Sequence, residues 1–123
     1  MKILVTGATG FLGKYVIDEL LAHDYTIVAF GRNEKIGKTL ENDRVQFIKG
    51  DLSAIEELRQ AFQSVDAVVH AGALSTAWGP WKAFYQANVV GTKNVLDLCR
   101  EYAVKRLVYV SSPSIYAAGK DQL

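Results

Sequence analysis

Two residues near the end of the sequence have the types and the spacing of an acid/base pair. Tyr116 and Lys120 follow the pattern Y-x-x-x-K. On a helix this spacing places both side chains on one face, where the lysine can lower the pKa of the tyrosine. The segment "YAAGKDQL" has Gly119 in its middle and no apolar run to bury, and a turn this short does not hold a helix by itself. We therefore predict that the match is a coincidence.

A glycine-rich loop near the start of the chain has the chemistry of a phosphate-binding site. In "TGATGFLG", Gly7, Gly10 and Gly13 are spaced G-x-x-G-x-x-G between a predicted strand and a predicted helix. Gly7 is expected to make a tight turn, Gly10 to let the backbone approach a pyrophosphate, and Gly13 to permit close packing of helix and sheet. The N–H groups of the helix N-terminus would face the phosphates. The loop predicts dinucleotide binding.

The end of the second predicted strand indicates which dinucleotide is bound. It reads "AFGRNEK", with Arg32 in the region where a site that prefers NAD usually has an acid for the ribose 2′-hydroxyl. An arginine suits a 2′-phosphate, which an acid would repel. The sequence predicts NADP, with NAD as the alternative. A solvated basic loop, formed by Arg32 with Lys35 and Lys38, is the interpretation without a ligand.

Short apolar runs and longer helical patterns must position these residues. The runs are rich in Val and Ile without alternation, which is typical of strands buried on both faces of a parallel sheet. They are Ile3–Val5, Thr26–Phe30, Val45–Ile48, Ala67–His70 and Leu107–Val110. Helices are predicted over Phe11–His23, weakly over Glu34–Glu41 with Gly37 as an interruption, from Ser53 onward, and over Trp81–Tyr102.

Three side-chain patterns support these helices. The first helix has Leu12, Val16 and Leu20 on one face, with Ile17 and Leu21 beside them. Ser53 with Glu56 forms a capping-box pattern at the start of the third. The apolar stripe of the fourth helix comprises Trp81, Phe84, Tyr85, Asn88, Thr92, Val95, Leu96 and Cys99. The alternation predicts an α/β fold, a doubly wound parallel sheet with strand order 3-2-1-4-5. Ligands bind such sheets where the order reverses, between strands 1 and 4.

The motifs together resemble the extended short-chain dehydrogenase/reductase family, within the NAD-dependent epimerase/dehydratase superfamily. Besides the glycine loop, the resemblance rests on "GDL" from Gly50, "HAGA" from His70, "NVVGTKNVL" from Asn88 and "YVSSPSIYA" from Tyr109. It implies a Rossmann-like fold in which residues 1–123 are an incomplete dinucleotide-binding domain, an amino-terminal part without the remaining strands and the substrate domain. It implies cofactor contacts by Gly7, Thr9, Gly10, Phe11, Leu12, Gly13, Arg32, Asp51, Leu52, Ala71, Gly72, Ala73 and Asn88.

The resemblance also suggests roles for single residues. Ser112 matches the family's catalytic serine or threonine, with Ser111 as the candidate in a shifted register, and Tyr116 matches a tyrosine other than the catalytic one. The catalytic Tyr and Lys are expected on a helix beyond this chain, and no metal site is predicted. Asp51 is expected near the adenine amino group, or else as a cap of the third helix. Asn88 is expected to satisfy a buried backbone group beside the active site, and His70 to be packed rather than catalytic.

Within the family, the sequence is most similar to the 3β-hydroxysteroid dehydrogenase-like group, which includes reductases of long-chain 3-oxo acids. This implies an NAD(P)-dependent oxidoreductase that interconverts a ketone and a secondary alcohol on an apolar substrate. Trp78 and Trp81 suit such a substrate, unless they only seat the fourth helix. The alternatives are a nucleotide-sugar epimerase or dehydratase and a non-catalytic NADP-sensing protein.

Composition restricts the partners and the compartment. The 14 basic and 13 acidic residues leave a net charge of +1, which argues against a nucleic-acid or membrane-surface partner. Cys99 is the single cysteine, so no disulfide can form within the chain and a reducing compartment fits best. The segment before Gly7 is too short for a signal sequence or a membrane span. We expect a cytoplasmic protein that binds a small apolar substrate, with a homodimer as an option.

Overall fold

Five parallel strands form a single sheet, and the computed structural model describes residues 1–71, 82 and 85–110 of the chain. The strands are β1 (Lys2–Thr6), β2 (Thr26–Gly31), β3 (Val45–Lys49), β4 (Ala67–His70) and β5 (Arg106–Tyr109). Their order across the sheet is β3-β2-β1-β4-β5, which confirms the predicted order. Each strand also lies within one residue of its predicted bounds.

Helices connect the strands. They are α1 (Phe11–Leu21), α2 (Glu34–Leu40), α3 (Ile55–Arg59), which continues as a 3₁₀ turn (Gln60–Phe62), and α4 (Gly91–Glu101). A six-residue π-helix, Tyr85–Val90, leads directly into α4. Among the helices of the described residues, none has the length and apolar character to span a membrane.

Both faces of the sheet are covered along β1, β2 and β4, which is why these strands read as continuous apolar runs; Val108 and Tyr109 of the edge strand β5 are about half exposed. On one face, Leu4 and Val68 pack against α3 and α4, in a cluster that also contains Phe62 and Leu98. On the other face, the strand residues that alternate with these, such as Val5, pack with α1 and with residues of β3. This second cluster comprises Ile3, Val5, Ala8, Ile17, Ile27, Ala29, Val45, Phe47 and Ala67. The doubly wound architecture predicted from the sequence is therefore present.

Two of the predicted helix details are wrong. The capping box does not form: α3 begins after Ala54, and Ser53 donates both its N–H and its hydroxyl to Asp51 Oδ1, at 2.9 and 2.8 Å. Gly37 does not interrupt α2, which continues through it to Leu40. The Phe47 ring lies so close that a Cβ at position 37 would be 2.2 Å from its Cζ. The missing side chain is thus needed for packing between α2 and β3.

Three residues of the predicted apolar stripes also face solvent, and one of them, Tyr85 in the π-helix, is 43% exposed. Leu12 is 41% exposed, because the buried residues of α1 are Gly13 and Ile17, which were also predicted to pack. Leu96 is 47% exposed, whereas residues of α4 that the stripe omitted are buried. A π-helix holds more residues per turn than an α-helix, so the π-helix before α4 changes the phase of the buried face relative to a continuous α-helix.

Candidate functional site

The carboxyl ends of β1 and β4 lie side by side where the strand order reverses. Thr6 and His70 pair in register there, and the chain leaves the sheet at Gly7 and Ala71. In parallel α/β sheets, the crevice between two such loops is the usual ligand site. The structure therefore brings together the glycine loop and the first residue after β4, two segments predicted to contact a cofactor.

The glycine loop has the tight geometry expected of it. Gly7 has a positive φ of 66°, a conformation that glycine adopts without strain, and its carbonyl accepts the Gly10 N–H at 3.0 Å. The Ala8 N–H donates to Phe30 O at 3.2 Å, which ties the loop to the end of β2. Gly13 packs as closely as predicted, but against the loop itself, since a Cβ there would be 2.5 Å from Gly7 O and Ala8 O.

The start of α1 offers the groups that would hold a diphosphate. Gly10 is the N-cap residue, no side chain caps the helix, and its first turn contains no acidic residue. The backbone N–H groups and the positive end of the helix dipole are therefore available to an anion. Position 10 carries no Cβ that would obstruct a close approach. These residues fit the pyrophosphate of a dinucleotide.

A cleft of about 560 Å³ lies beside this helix start, between α1 and α2. Its lining residues are Ala8, Thr9, Gly10, Phe11, Lys14, Tyr15, Ile36, Thr39 and Leu40. Phe11 is 88% exposed at its mouth, with its ring centroid 5.7 Å from that of Tyr15. Thr9 lies over the end of β2, because its side chain occupies the space next to Gly31. Thr9 and Phe11, both predicted cofactor contacts, thus border a recess next to the loop.

Arg32 and Asp51 follow the neighbouring strands β2 and β3. The strand ends are joined by a hydrogen bond from the Gly50 N–H to Gly31 O at 3.0 Å. The pKa of Asp51 is lowered, chiefly by the hydrogen bond from the Ser53 backbone and also by the Ser53 hydroxyl and the positive charge of Arg32, against the opposing effect of burial. Asp51 is therefore ionised at neutral pH, and its Oδ1 stabilises the turn that leads into α3.

Leu52, the next residue, holds α4 against the loop after β3. Its carbonyl oxygen accepts the side-chain amide of Asn94 at 2.8 Å, and Asn94 is buried. A Cβ on Gly91 would lie 2.9 Å from Leu52 Cβ, so the helix can approach this closely because residue 91 is glycine. Asn94 thus satisfies a partly buried backbone carbonyl, which is the kind of role also predicted for Asn88. Asn88 itself is partly buried in the π-helix.

His70 is fully buried at the switch point, as predicted. Its Nδ1 lies 2.7 Å from Thr6 Oγ1 and its Nε2 lies 3.0 Å from Thr92 Oγ1. Thr6 Oγ1 also accepts the Ala71 N–H at 3.1 Å. Burial lowers the pKa of His70 to about 4, so the ring is neutral at physiological pH. Thr6 and Thr92 were missed as site residues; the signal was a histidine in a buried strand, which requires polar partners.

Several predicted residues lie outside the described part of the chain. They are Gly72 and Ala73 of the turn after β4, Trp78 and Trp81, and the carboxy-terminal residues Ser111, Ser112, Tyr116 and Lys120. The predictions for these residues stay predictions.

The amino-acid sequence was compared with known protein families and with individual proteins. The sequence model of the NAD-dependent epimerase/dehydratase family matches residues 3–123. The chain is 43% identical over 115 residues to a 2-alkyl-3-oxoalkanoate reductase of Stenotrophomonas maltophilia, which covers 94% of the chain and 34% of that protein. It is 36% identical over 120 residues to the decarboxylating sterol-4-alpha-carboxylate 3-dehydrogenase of Bos taurus, which covers 98% of the chain and 33% of that protein.

A solved structure shares the same architecture. The UDP-glucose 4-epimerase of Thermus thermophilus in complex with NAD superimposes with a TM-score of 0.81 and 27% identity, over 91% of this chain and 38% of that one. The chain spans about a third of the length of the two curated relatives.

Proposed function

Because this chain belongs to the NAD-dependent epimerase/dehydratase family, we propose that it is the dinucleotide-binding part of an oxidoreductase that interconverts a ketone and a secondary alcohol. The observation that carries the proposal is the glycine loop at the point where the strand order reverses, followed by an α1 N-terminus without a capping side chain. That combination provides backbone donors for a pyrophosphate and a crevice for the rest of the cofactor.

In this proposal the chain's own residues bind and orient the cofactor. Gly7, Gly10 and the first turn of α1 hold the pyrophosphate, and Arg32 with Asp51 lies at the adenosine end. Further cofactor contacts would come from Ala71, Gly72, Ala73 and Asn88, as the family resemblance implies. The bound nicotinamide supplies or accepts a hydride. Ser112 donates a hydrogen bond to the substrate oxygen, and the proton comes from a tyrosine outside this chain.

We further propose that NADP(H) is preferred to NAD(H). The Arg32 charge acts on the Asp51 carboxylate, so the guanidinium lies within electrostatic range of the loop after β3. One hydrogen bond from a charged group to the 2′-phosphate contributes about 1.5–3 kcal/mol, or roughly ten- to a hundred-fold in affinity.

The cofactor preference can be tested by titrating NADPH and NADH into the full-length protein. Arg32→Ala should weaken NADPH binding by that factor and leave NADH binding nearly unchanged. Arg100→Ala is the matched control, because Arg100 is also exposed but lies in the last turn of α4. Equal affinities of the wild type for the two cofactors, or an equal loss for both in Arg32→Ala, would contradict the preference.

The substrate we propose is apolar, of the steroid or long-chain 3-oxo type. Support comes from the reductase and the sterol dehydrogenase, which are 43% and 36% identical to this chain. The second candidate is a nucleotide-sugar epimerase or dehydratase, favoured by the structural similarity to the NAD-bound UDP-glucose 4-epimerase. The reactions differ in their cofactor balance, since a ketone reductase consumes NADPH and an epimerase restores its cofactor in each turnover. Net NADPH oxidation with 3-oxo acids or steroid ketones supports the first candidate, and conversion of a UDP-sugar without net oxidation supports the second.

A further inference from the structure

A continuous set of hydrogen bonds crosses the switch point beneath the proposed cofactor site. The imidazole of His70 joins Thr6 Oγ1, 2.7 Å away, to Thr92 Oγ1, 3.0 Å away, and is only 1% exposed. Thr6 Oγ1 in turn accepts the N–H of Ala71. The set therefore connects β1, β4 and α4 through side chains that the proposed cofactor contacts do not include.

We propose that His70 is a positioning residue for dinucleotide binding, and this rests on the dinucleotide binding proposed above. His70 links the position of α4 to the positions of the two loops that follow β1 and β4. Thr6 directly precedes Gly7, where the backbone turns with a positive φ. The Thr6 hydroxyl also fixes the Ala71 backbone. The positions of both loops thus depend on Thr6 Oγ1, which is hydrogen-bonded to the ring of His70.

The chemistry of the ring suits this task. A neutral imidazole has one N–H donor and one acceptor, and a threonine hydroxyl can serve as either partner, so both hydrogen bonds form in either tautomer. The Tyr109 ring of β5 packs against the imidazole, with centroids 5.6 Å apart. An apolar side chain at position 70 would fill the same space but would leave buried hydroxyl groups without this partner, which is costly. The histidine therefore does more than fill the core.

Helix α4 carries the coupling further, to the loop after β3. Near its start, Thr92 bonds to His70, and two residues later Asn94 bonds to Leu52 O. Gly91 allows the close contact with Leu52. A single rigid helix thus sets the spacing between the end of β4 and the predicted adenine-contacting segment. Loss of the His70–Thr92 bond would release the polar contact that ties the start of α4 to the end of β4.

The test is a double-mutant cycle on the full-length protein, measured as the dissociation constant of NADPH by fluorescence titration. Thr6→Val and Thr92→Val preserve shape and each remove one hydroxyl partner of His70. Each should weaken NADPH binding by about two- to thirteen-fold, the equivalent of one hydrogen bond. The double variant should lose less NADPH affinity than the product of the two single-variant factors, because the first substitution already interrupts the hydrogen bonds through His70. Thr92→Ser, which keeps the hydroxyl that Thr92→Val removes, should bind NADPH with near wild-type affinity.

Three comparisons separate positioning from a purely structural role. Thr26→Val is the matched control, since its hydroxyl bonds Met1 O at the opposite end of the sheet and should leave the NADPH affinity unchanged. In a His70→Phe background the two threonine substitutions should become additive; if that variant does not fold, the threonine cycle and the serine rescue decide alone. Additive losses, or lowered thermal stability with unchanged NADPH affinity, would overturn the inference. A wild type that binds neither NADPH nor NADH would refute the proposed function, and this inference with it.

Discussion

Substitution of two glycines in one loop is expected to separate folding from cofactor binding. In Gly13→Ala, the new Cβ would lie 2.5 Å from two backbone oxygens and 2.6 Å from the Ala8 carbonyl carbon. Backbone atoms cannot rotate away, so the cost should approach the upper end of the range of about 1–3 kcal/mol for overpacking. Alanine regains about 1 kcal/mol of helix propensity. The net loss is about 2 kcal/mol, which lowers the Tm by several degrees, and by less the longer the protein.

Gly10→Ala should behave in the opposite way. Its Cβ would lie 3.3 Å from Gly7 O, so a shift of a few tenths of an ångström accommodates it. The free energy of unfolding should therefore change by less than about 1 kcal/mol. The methyl group would, however, occupy the space proposed for the pyrophosphate. We expect NADPH affinity to fall by at least about tenfold, equivalent to 1.4 kcal/mol.

Both variants should be measured by thermal unfolding without ligand and by NADPH titration at a temperature where all three proteins are folded. The expected pattern is a lowered Tm for Gly13→Ala and weak binding for Gly10→Ala. A wild-type Tm for Gly13→Ala would refute the steric reasoning. Wild-type affinity for Gly10→Ala would refute the assignment of the pyrophosphate to this loop.

Four further predictions follow from residues across the chain. The pKa of His70 is lowered from 6.5 to about 4, so between these pH values the unfolded chain binds the proton more readily than the folded one. The free energy of unfolding should therefore fall by up to about 3 kcal/mol as pH drops from 6.5 to 4, and His70→Gln should reduce that slope in urea titrations. Gly37→Ala should lower the Tm, because its Cβ meets the Phe47 ring, and Phe47→Leu should partly restore it. In the full-length protein, Ser112→Ala should slow single-turnover hydride transfer severely, whereas Tyr116→Phe should leave it largely intact. Residues 1–123 alone should unfold at low temperature and should not oxidise NADPH with ketones. General acid catalysis, which typically contributes about 10²–10⁴-fold, and substrate positioning are expected from a longer protein. A stable monomer with turnover would contradict the prediction that the Y-x-x-x-K match is a coincidence.

The sheet could be predicted because its strands are rich in Val and Ile, the central ones are apolar on both faces, and each run is bounded by glycine or polar residues. That pattern depends on the local sequence alone, and the strand order follows from right-handed crossovers. Helix details depended on tertiary contacts that the sequence does not display. Gly37 reads as a helix breaker, yet the Phe47 ring makes it a packing residue. Leu96 reads as core, yet it is exposed because α4 buries the face that carries Asn94 and Leu98.

The candidate site was predictable where a residue type is tied to a backbone requirement. The turn at Gly7 and the close contact of Gly13 are examples. Partners that belong to other elements were not predictable. Nothing in the sequence around Asn94 shows that Leu52 O needs a donor, and Thr92 reads as one residue of an apolar stripe. These contacts join residues 42 and 22 positions apart, so only the folded chain reveals them.

The register between Thr6 and His70 bears on the order of events during folding and synthesis. These residues are 64 positions apart, whereas the β1–β2 pairing closes a loop of a single helix. Pairings over a longer separation form later, because loop closure costs more entropy. During translation, at about 5–20 residues per second, β1 has a partner in β2 seconds before β4 leaves the ribosome. The nascent chain thus acquires one half of its crevice first, and the crevice between the two loops is complete only after β4 has docked against β1.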